Sequence, residues 1–335
     1  MKMENRRKNF EWILPVLGLM LSLMISTVYQ PLVTASDLKT YSPPRQLVNV
    51  GDHRLHIHCL GKGSPTVVME AGMSGWSADW ILLQPEIAKT TRVCTYDRAG
   101  YGWSDTGPRP RDSQQVSSEL QTLLLRTGIQ KYILVGHSLG GLFVQMHAKL
   151  YPKEIAGMVL VDSVHPEQSL RMKQDVREKY EGDLTALTTL TSFLAPSGLL
   201  RLTNQPETTI TQKLPREDQA MTRAMGLQSK GYCALADEMA SFAESQLEVR
   251  NAGPLPNVPL TVLSSSLLRD FPPGFSGESI KGLWDELQVD LARQQPNAIH
   301  LIAKTSGHYI HLDQPDLVIN AVTNMVKKLL EGCAS

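Results

Sequence analysis

The residues best equipped for chemistry lie in Lys131–Leu142, KYILVGHSLGGL, where an apolar run ends in Gly136-His137-Ser138-Leu139-Gly140 and a helical pattern begins at once. A Gly-x-Ser-x-Gly between a strand and a helix is the context of a nucleophile elbow. Its glycines remove Cβ atoms where the turn is crowded, and its serine sits at the apex with the hydroxyl exposed. The N-terminal N–H groups and positive dipole end of the following helix point at the same place, which suits a developing oxyanion. Ser138 is therefore the candidate nucleophile. Taken alone, the pentapeptide also reads as a glycine-rich turn with a capping serine.

A serine nucleophile needs a base, an orienting acid and oxyanion donors. Thr305-Ser306-Gly307-His308-Tyr309 follows the β-like run Ala298–Ala303 and precedes a helical pattern beginning near Pro315. His308 on that loop can swing over the sheet edge to reach Ser138. His311 competes with it, and His308 is preferred because it directly follows a glycine in the strand-to-loop turn. His137 is locked beside the nucleophile, while His53, His56 and His58 belong to a hairpin at the far end of the fold. For the acid, Asp162 ends the apolar run Met158–Val161, and Asp270 lies a short way after Leu260–Leu263. Either could hold the histidine tautomer and stabilise the imidazolium. Their plainer roles are a turn cap for Asp162 and a solvated loop carboxylate for Asp270, and chain order leaves both open. The N–H of Leu139 is one expected oxyanion donor. Glu70-Ala71-Gly72-Met73-Ser74-Gly75, the loop after the third strand, offers the second at the N–H of Met73.

These groups need a scaffold that collects them at one edge. Short β-like runs occur at Gln46–Val50, Leu55–Leu60, Thr66–Glu70 and Arg92–Tyr96, the first two split by Gly51-Asp52 as in a hairpin. Trp76–Lys89 and Ser113–Gly128 show helical spacing, and Ile133–Val135, Met158–Val161 and Leu260–Leu263 are compact apolar runs separated by helical segments. The pattern predicts an α/β protein with a mostly parallel, doubly covered sheet, whose reactive groups gather outside the carboxyl ends of the strands. Residues 164–256 break the alternation with helical segments, predicting a helical lid inserted after the sixth strand between core segments 46–163 and 257–335. Its leucines, with Phe193, Met221, Met225 and Met239, could line an apolar substrate pocket or simply pack.

Equal numbers of basic and acidic residues, 33 each, give no reason to expect nucleic acid or an acidic partner. A small-molecule substrate is the expected partner, and the chemistry calls for no metal or organic cofactor. Lys2, Arg6, Arg7 and Lys8 precede an apolar run from about Trp12 to Tyr29, followed by Val33-Thr34-Ala35. That makes residues 1–35 a secretory signal cleaved after Ala35 or an N-terminal membrane anchor, and either places the catalytic body outside the cytoplasm. Polar residues 36–45, with Pro43-Pro44, read as a linker. Cys59, Cys94, Cys233 and Cys333 are widely spaced without a C-x-x-C pair and read best as free thiols, although an exported location would permit a disulfide.

The elbow, Tyr96-Asp97-Arg98-Ala99-Gly100-Tyr101-Gly102-Trp103-Ser104, and Gly307-His308 followed by Asp313-Gln314-Pro315 together resemble the α/β-hydrolase superfamily. The branch is the lidded one shared by esterases, cofactor-free haloperoxidases and epoxide hydrolases. The resemblance runs from about Leu47 to the C-terminus apart from the lid, and it implies that Asp97 and Arg98 are architectural. Three departures matter. Dehalogenases and epoxide hydrolases of this fold carry aspartate at the elbow, where this chain has Ser138. Many relatives have His-Gly in the oxyanion loop, where this chain has Ala71-Gly72. Most carry the acid in a G-x-x-D segment after the penultimate strand, where this chain has Ser264-Ser265-Ser266-Leu267-Leu268-Arg269-Asp270, and that displacement favours Asp162. The expected activity is ester hydrolysis through an acyl-enzyme, with an amidase or peptidase, a lactonase and a perhydrolase as alternatives of the same chemistry. A hydrolase-fold ligand-binding or signalling protein is the alternative of another class.

Overall fold

Strands β1 (Gln46–Asn49), β2 (Arg54–Leu60), β3 (Thr66–Glu70), β4 (Val93–Tyr96), β5 (Tyr132–His137), β6 (Ile155–Val161), β7 (Leu260–Ser265) and β8 (Ile299–Ala303) form one sheet. Their order is β1-β2-β4-β3-β5-β6-β7-β8. The β1/β2 and β2/β4 pairs are antiparallel and all others parallel. This computed structural model describes residues 28–44, 46–203, 209–267 and 277–332.

Strand periodicity divides the core. Leu55, Val68, Leu134, Leu160 and Val262 face helices α2 (Ser113–Arg126), α3 (Leu139–Leu150) and α8 (Gly277–Arg293). Their neighbours Val67, Met69, Val135, Val159 and Leu263 face helix α9 (Pro315–Gly332) and the Trp80–Ile87 segment on the other side. Central parallel strands are apolar on both faces because helices cover both. Asp112 caps α2 by accepting a hydrogen bond from Gln115 N at 2.8 Å.

Between β6 and β7 the described residues are helical wherever they are regular, with α4 (Gln174–Leu194), α5 (Arg216–Gly226), α6 (Ser229–Ala240) and α7 (Phe242–Asn251). Helix α6 packs along α4, and α7 lies on α2 and α3.

Four expectations need correction. The Trp76–Lys89 segment is a 3₁₀ turn, Ser77–Trp80, and a short helix, Gln84–Ile87, because Ser77 N is tied to Asp97 Oδ1 at 2.8 Å and Pro85 starts a new turn. Cys59 and Cys94 form a disulfide, since they stand directly opposite each other in the antiparallel β2/β4 ladder. The stretch read as a linker from Ser36 is helical as far as Thr40, within helix α1 (residues 28–40). That helix is held by Gln30 Nε2 donating to Leu227 O at 2.8 Å and by Arg201, which reaches Gln30 Oε1 at 3.0 Å and Asp37 Oδ2 at 2.7 Å. Phe193 points to solvent at 79% exposure, whereas Met239 has the packing role offered for it, in the core between the helical insertion and the body. Most of the apolar run Trp12–Tyr29, together with Cys333, lies outside the described residues, among which no helix is long and apolar enough to cross a membrane.

Candidate active site

Ser138 sits between β5 and α3 with φ 52° and ψ −123°, a conformation that costs a non-glycine residue about 1–3 kcal/mol and that surrounding packing must enforce. The packing is tight. A Cβ at Gly136 would fall 2.6 Å from Val144 Cγ2, and one at Gly140 would fall 2.3 Å from Ala71 O, so both flanks of the turn require glycine.

His308 follows β8 on the loop read from sequence. Its Nδ1 lies 2.7 Å from Oδ2 of Asp162, the residue just past β6, which itself has φ 45°. The Asp162 carboxylate also accepts from Ser265 N at 2.9 Å and Ser265 Oγ at 3.0 Å at the end of β7, and from Trp284 Nε1 of α8 at 3.0 Å. Four hydrogen bonds thus fix a fully buried carboxylate whose one histidine partner is His308. Asp270 lies outside the described residues.

Ser138, His308 and Met73 line one cavity of about 470 Å³. Its other wall is the helical insertion, through Tyr180, Leu184, Thr188 and Phe242, with Trp284 from α8. Among the described residues neither the Leu139 N–H nor the Met73 N–H meets an intramolecular acceptor. His311 is absent from this lining. It is buried between Trp80 and His137, at ring separations of 4.9 and 4.4 Å, and burial pushes it down to about 3. His137 is likewise kept neutral by burial, with the neighbouring His311 and His308 adding to the effect, and its Nε2 lies 3.1 Å from His308 O.

The loop after β3, Glu70–Gly75, is fastened from behind. Arg98 Nη1 donates to Ala71 O at 2.7 Å and Nη2 to Gly72 O at 2.8 Å, while its Nε donates to Glu238 Oε1 of α6 at 2.7 Å. Arg98 also pairs with Glu70 at 2.6 Å, and Tyr101 OH donates to Glu238 Oε2 at 2.9 Å. The Ala71 and Gly72 carbonyls thus turn toward Arg98, and Gly75 N closes the turn by donating to Gly72 O at 3.1 Å. Asp97 has the architectural surroundings expected of it, accepting from Ser77 N and Trp103 N and lying 3.0 Å from His56 Nδ1. Ser265, Trp284 and Glu238 carried no sequence signal, because each acquires its partner only when distant elements meet.

A model of the alpha/beta hydrolase fold family matches residues 65–231. The chain is 23% identical over 289 residues to an uncharacterised protein of Bacillus subtilis, covering 84% of this chain and 86% of that one. It is 31% identical over 152 residues to a probable transporter of Hormonema carpetanum, of which it spans only 22%. A thermophilic esterase from Thermogutta terrifontis has a similar structure, with a TM-score of 0.62 at 21% identity over 85% of this chain and 99% of that one.

Proposed function

Because the chain belongs to the α/β-hydrolase superfamily and has the fold of its hydrolases, we propose that it is a serine hydrolase cleaving an ester-like bond in a small, apolar substrate. One observation carries this reading: Ser138 at its strained apex and the Asp162-backed His308 line the same insertion-covered cavity. In the proposed reaction His308 Nε2 takes the Ser138 proton while Asp162 holds the proton on Nδ1. Ser138 Oγ attacks the carbonyl carbon, and the N–H groups of Leu139 and Met73 receive the oxyanion. The tetrahedral intermediate collapses as His308 returns the proton to the leaving alcohol. Water activated by His308 then hydrolyses the acyl-enzyme. Leu184, Phe242 and Trp284 on the cavity wall support an apolar substrate. Ser138→Ala should abolish p-nitrophenyl ester turnover and fluorophosphonate labelling, and retention of both would remove Ser138 from the mechanism.

The proposal extends to location. The Cys59–Cys94 disulfide supports an oxidising compartment. Cleavage after Ala35 would remove Gln30 and its bonds to the insertion, so the packing of α1 supports a retained membrane anchor. The intact mass of the membrane-extracted protein tests this.

A further inference from the structure

A second cavity, of about 140 Å³, adjoins the one holding Ser138 beneath the insertion, and Ser74, Tyr232 and Leu235 line both. Among the polar side chains in its wall, Asp79 at 2%, Thr211 at 4% and Thr222 at 5% exposure are nearly sealed from solvent. Among the described residues nothing hydrogen-bonds Asp79 Oδ1 or Thr222 Oγ1. The other carboxylate oxygen is packed into the oxyanion loop, where a Cβ on Gly75 would lie 2.2 Å from it.

A buried polar atom without a partner costs about 1–3 kcal/mol, and folded proteins retain few of them. Two in one cavity point to a ligand that satisfies both. A carboxylate only accepts, whereas a threonine hydroxyl also has a proton to give. A hydroxyl matches that pair, since it donates to Asp79 and accepts from Thr222. An ammonium group could donate to both Asp79 and the Thr222 hydroxyl oxygen, but it would meet the Arg223 cation in the same wall and leave the Thr222 proton unused. At ~30 Å³ per water-sized group the cavity has room for about four or five heavy atoms, the end of a short hydroxyalkyl chain. Trp76, Met225 and Leu227 supply the apolar remainder of its lining.

We propose that this cavity is a substrate subsite for a hydroxyl group, so that the ester turned over carries a hydroxylated chain whose end is held by Asp79 and Thr222. The proposal rests on the serine-hydrolase reading for turnover, but the binding it describes does not depend on catalysis.

The test uses the full chain and two pairs of esters: p-nitrophenyl hexanoate against p-nitrophenyl 6-hydroxyhexanoate, and hexyl against 6-hydroxyhexyl butyrate. In one pair the hydroxylated ester should be preferred about tenfold or more in kcat/KM, the worth of one well-made hydrogen bond. Thr222→Val and Asp79→Val, each of which removes the hydrogen-bonding atom, should each bring that ratio close to one. In parallel, thermal shift of Ser138→Ala should show stronger stabilisation by 1,6-hexanediol than by 1-hexanol, and Thr222→Val in that background should remove the difference. Equal ratios in both pairs, a preference that survives both substitutions, or equal thermal shifts would overturn the subsite. Absence of any ester turnover together with the diol preference would overturn the hydrolase reading and leave the subsite standing.

Discussion

His308 Nδ1 stands 2.7 Å from Asp162 Oδ2, and the remaining hydrogen bonds to that carboxylate come from Ser265 and Trp284. Every partner of Asp162 is therefore a donor, with His308 Nδ1 carrying the proton. Asp162→Asn puts an amide NH₂ where only acceptors fit, so either His308 adopts the wrong tautomer or the Ser265 and Trp284 donors lose a partner. The expected result is a loss of kcat on the order of 10⁴ with the fold retained. Ester turnover and circular dichroism check it, and a variant with more than a tenth of wild-type kcat would exclude Asp162 as the acid.

Glu238 acts at a distance. It holds Arg98, and Arg98 holds the Ala71 and Gly72 carbonyls that orient the loop of Met73. Glu238→Ala leaves Arg98 buried with half its compensation, which should cost about 3–5 kcal/mol of stability. Catalysis should also suffer, because loss of one oriented oxyanion donor costs on the order of 10²–10³ in kcat. The signature is a fall in kcat with KM little changed. A variant that melts early yet keeps full kcat would confine Glu238 to stability.

The Cys59–Cys94 disulfide closes a loop of 35 residues, for which the chain-entropy treatment gives about 4 kcal/mol of stabilisation. Replacing both cysteines with alanine should lower stability by that order in chemical denaturation. Turnover should stay close to wild type, because the bond lies in β2 and β4 and neither cysteine lines the Ser138 cavity. Unchanged stability would mean that the β2/β4 ladder already restrains the unfolded chain.

What sequence showed of the site depends on how local each signal is. The elbow was legible because a strand, two obligatory glycines and a helix are contiguous, and the central strands because two covered faces leave uninterrupted apolar runs. Asp162 could not be placed beside His308 from sequence because its surroundings come from across the sheet: at the end of β7 stands Ser265, whose N–H and hydroxyl both serve Asp162. The disulfide was missed because β4 pairs with β2, so sequence order along the chain does not give spatial order. Residues 36–40 look like a linker by composition, and it takes Arg201 and Leu227, far along the chain, to dock the helix they belong to. Asp79 resembled any polar residue of a helical stretch until its burial was known.

Burial also gives Asp79 a titration that stability should report. Desolvation raises its carboxyl from 3.8 to about 7, against smaller opposing effects of the Trp76 backbone hydrogen bond and the Arg98 charge. Between about pH 4 and pH 7 the folded protein therefore keeps a proton that the unfolded chain has lost. The folded state binds more protons in that window, so the contribution of Asp79 is full below about pH 4 and is lost as pH rises to about 7. The slope can reach ~1.4 kcal/mol per pH unit. Asp79→Asn cannot titrate, so wild-type stability minus that of the variant, from urea unfolding at each pH, should fall steadily across the window and level off above it. A difference curve flat from pH 4 to 7 would mean that Asp79 titrates normally. A ligand hydroxyl donating to the ionised carboxylate should shift this fall to lower pH, because it stabilises the charged form, so the same titration with 1,6-hexanediol present links the carboxyl to the cavity it lines.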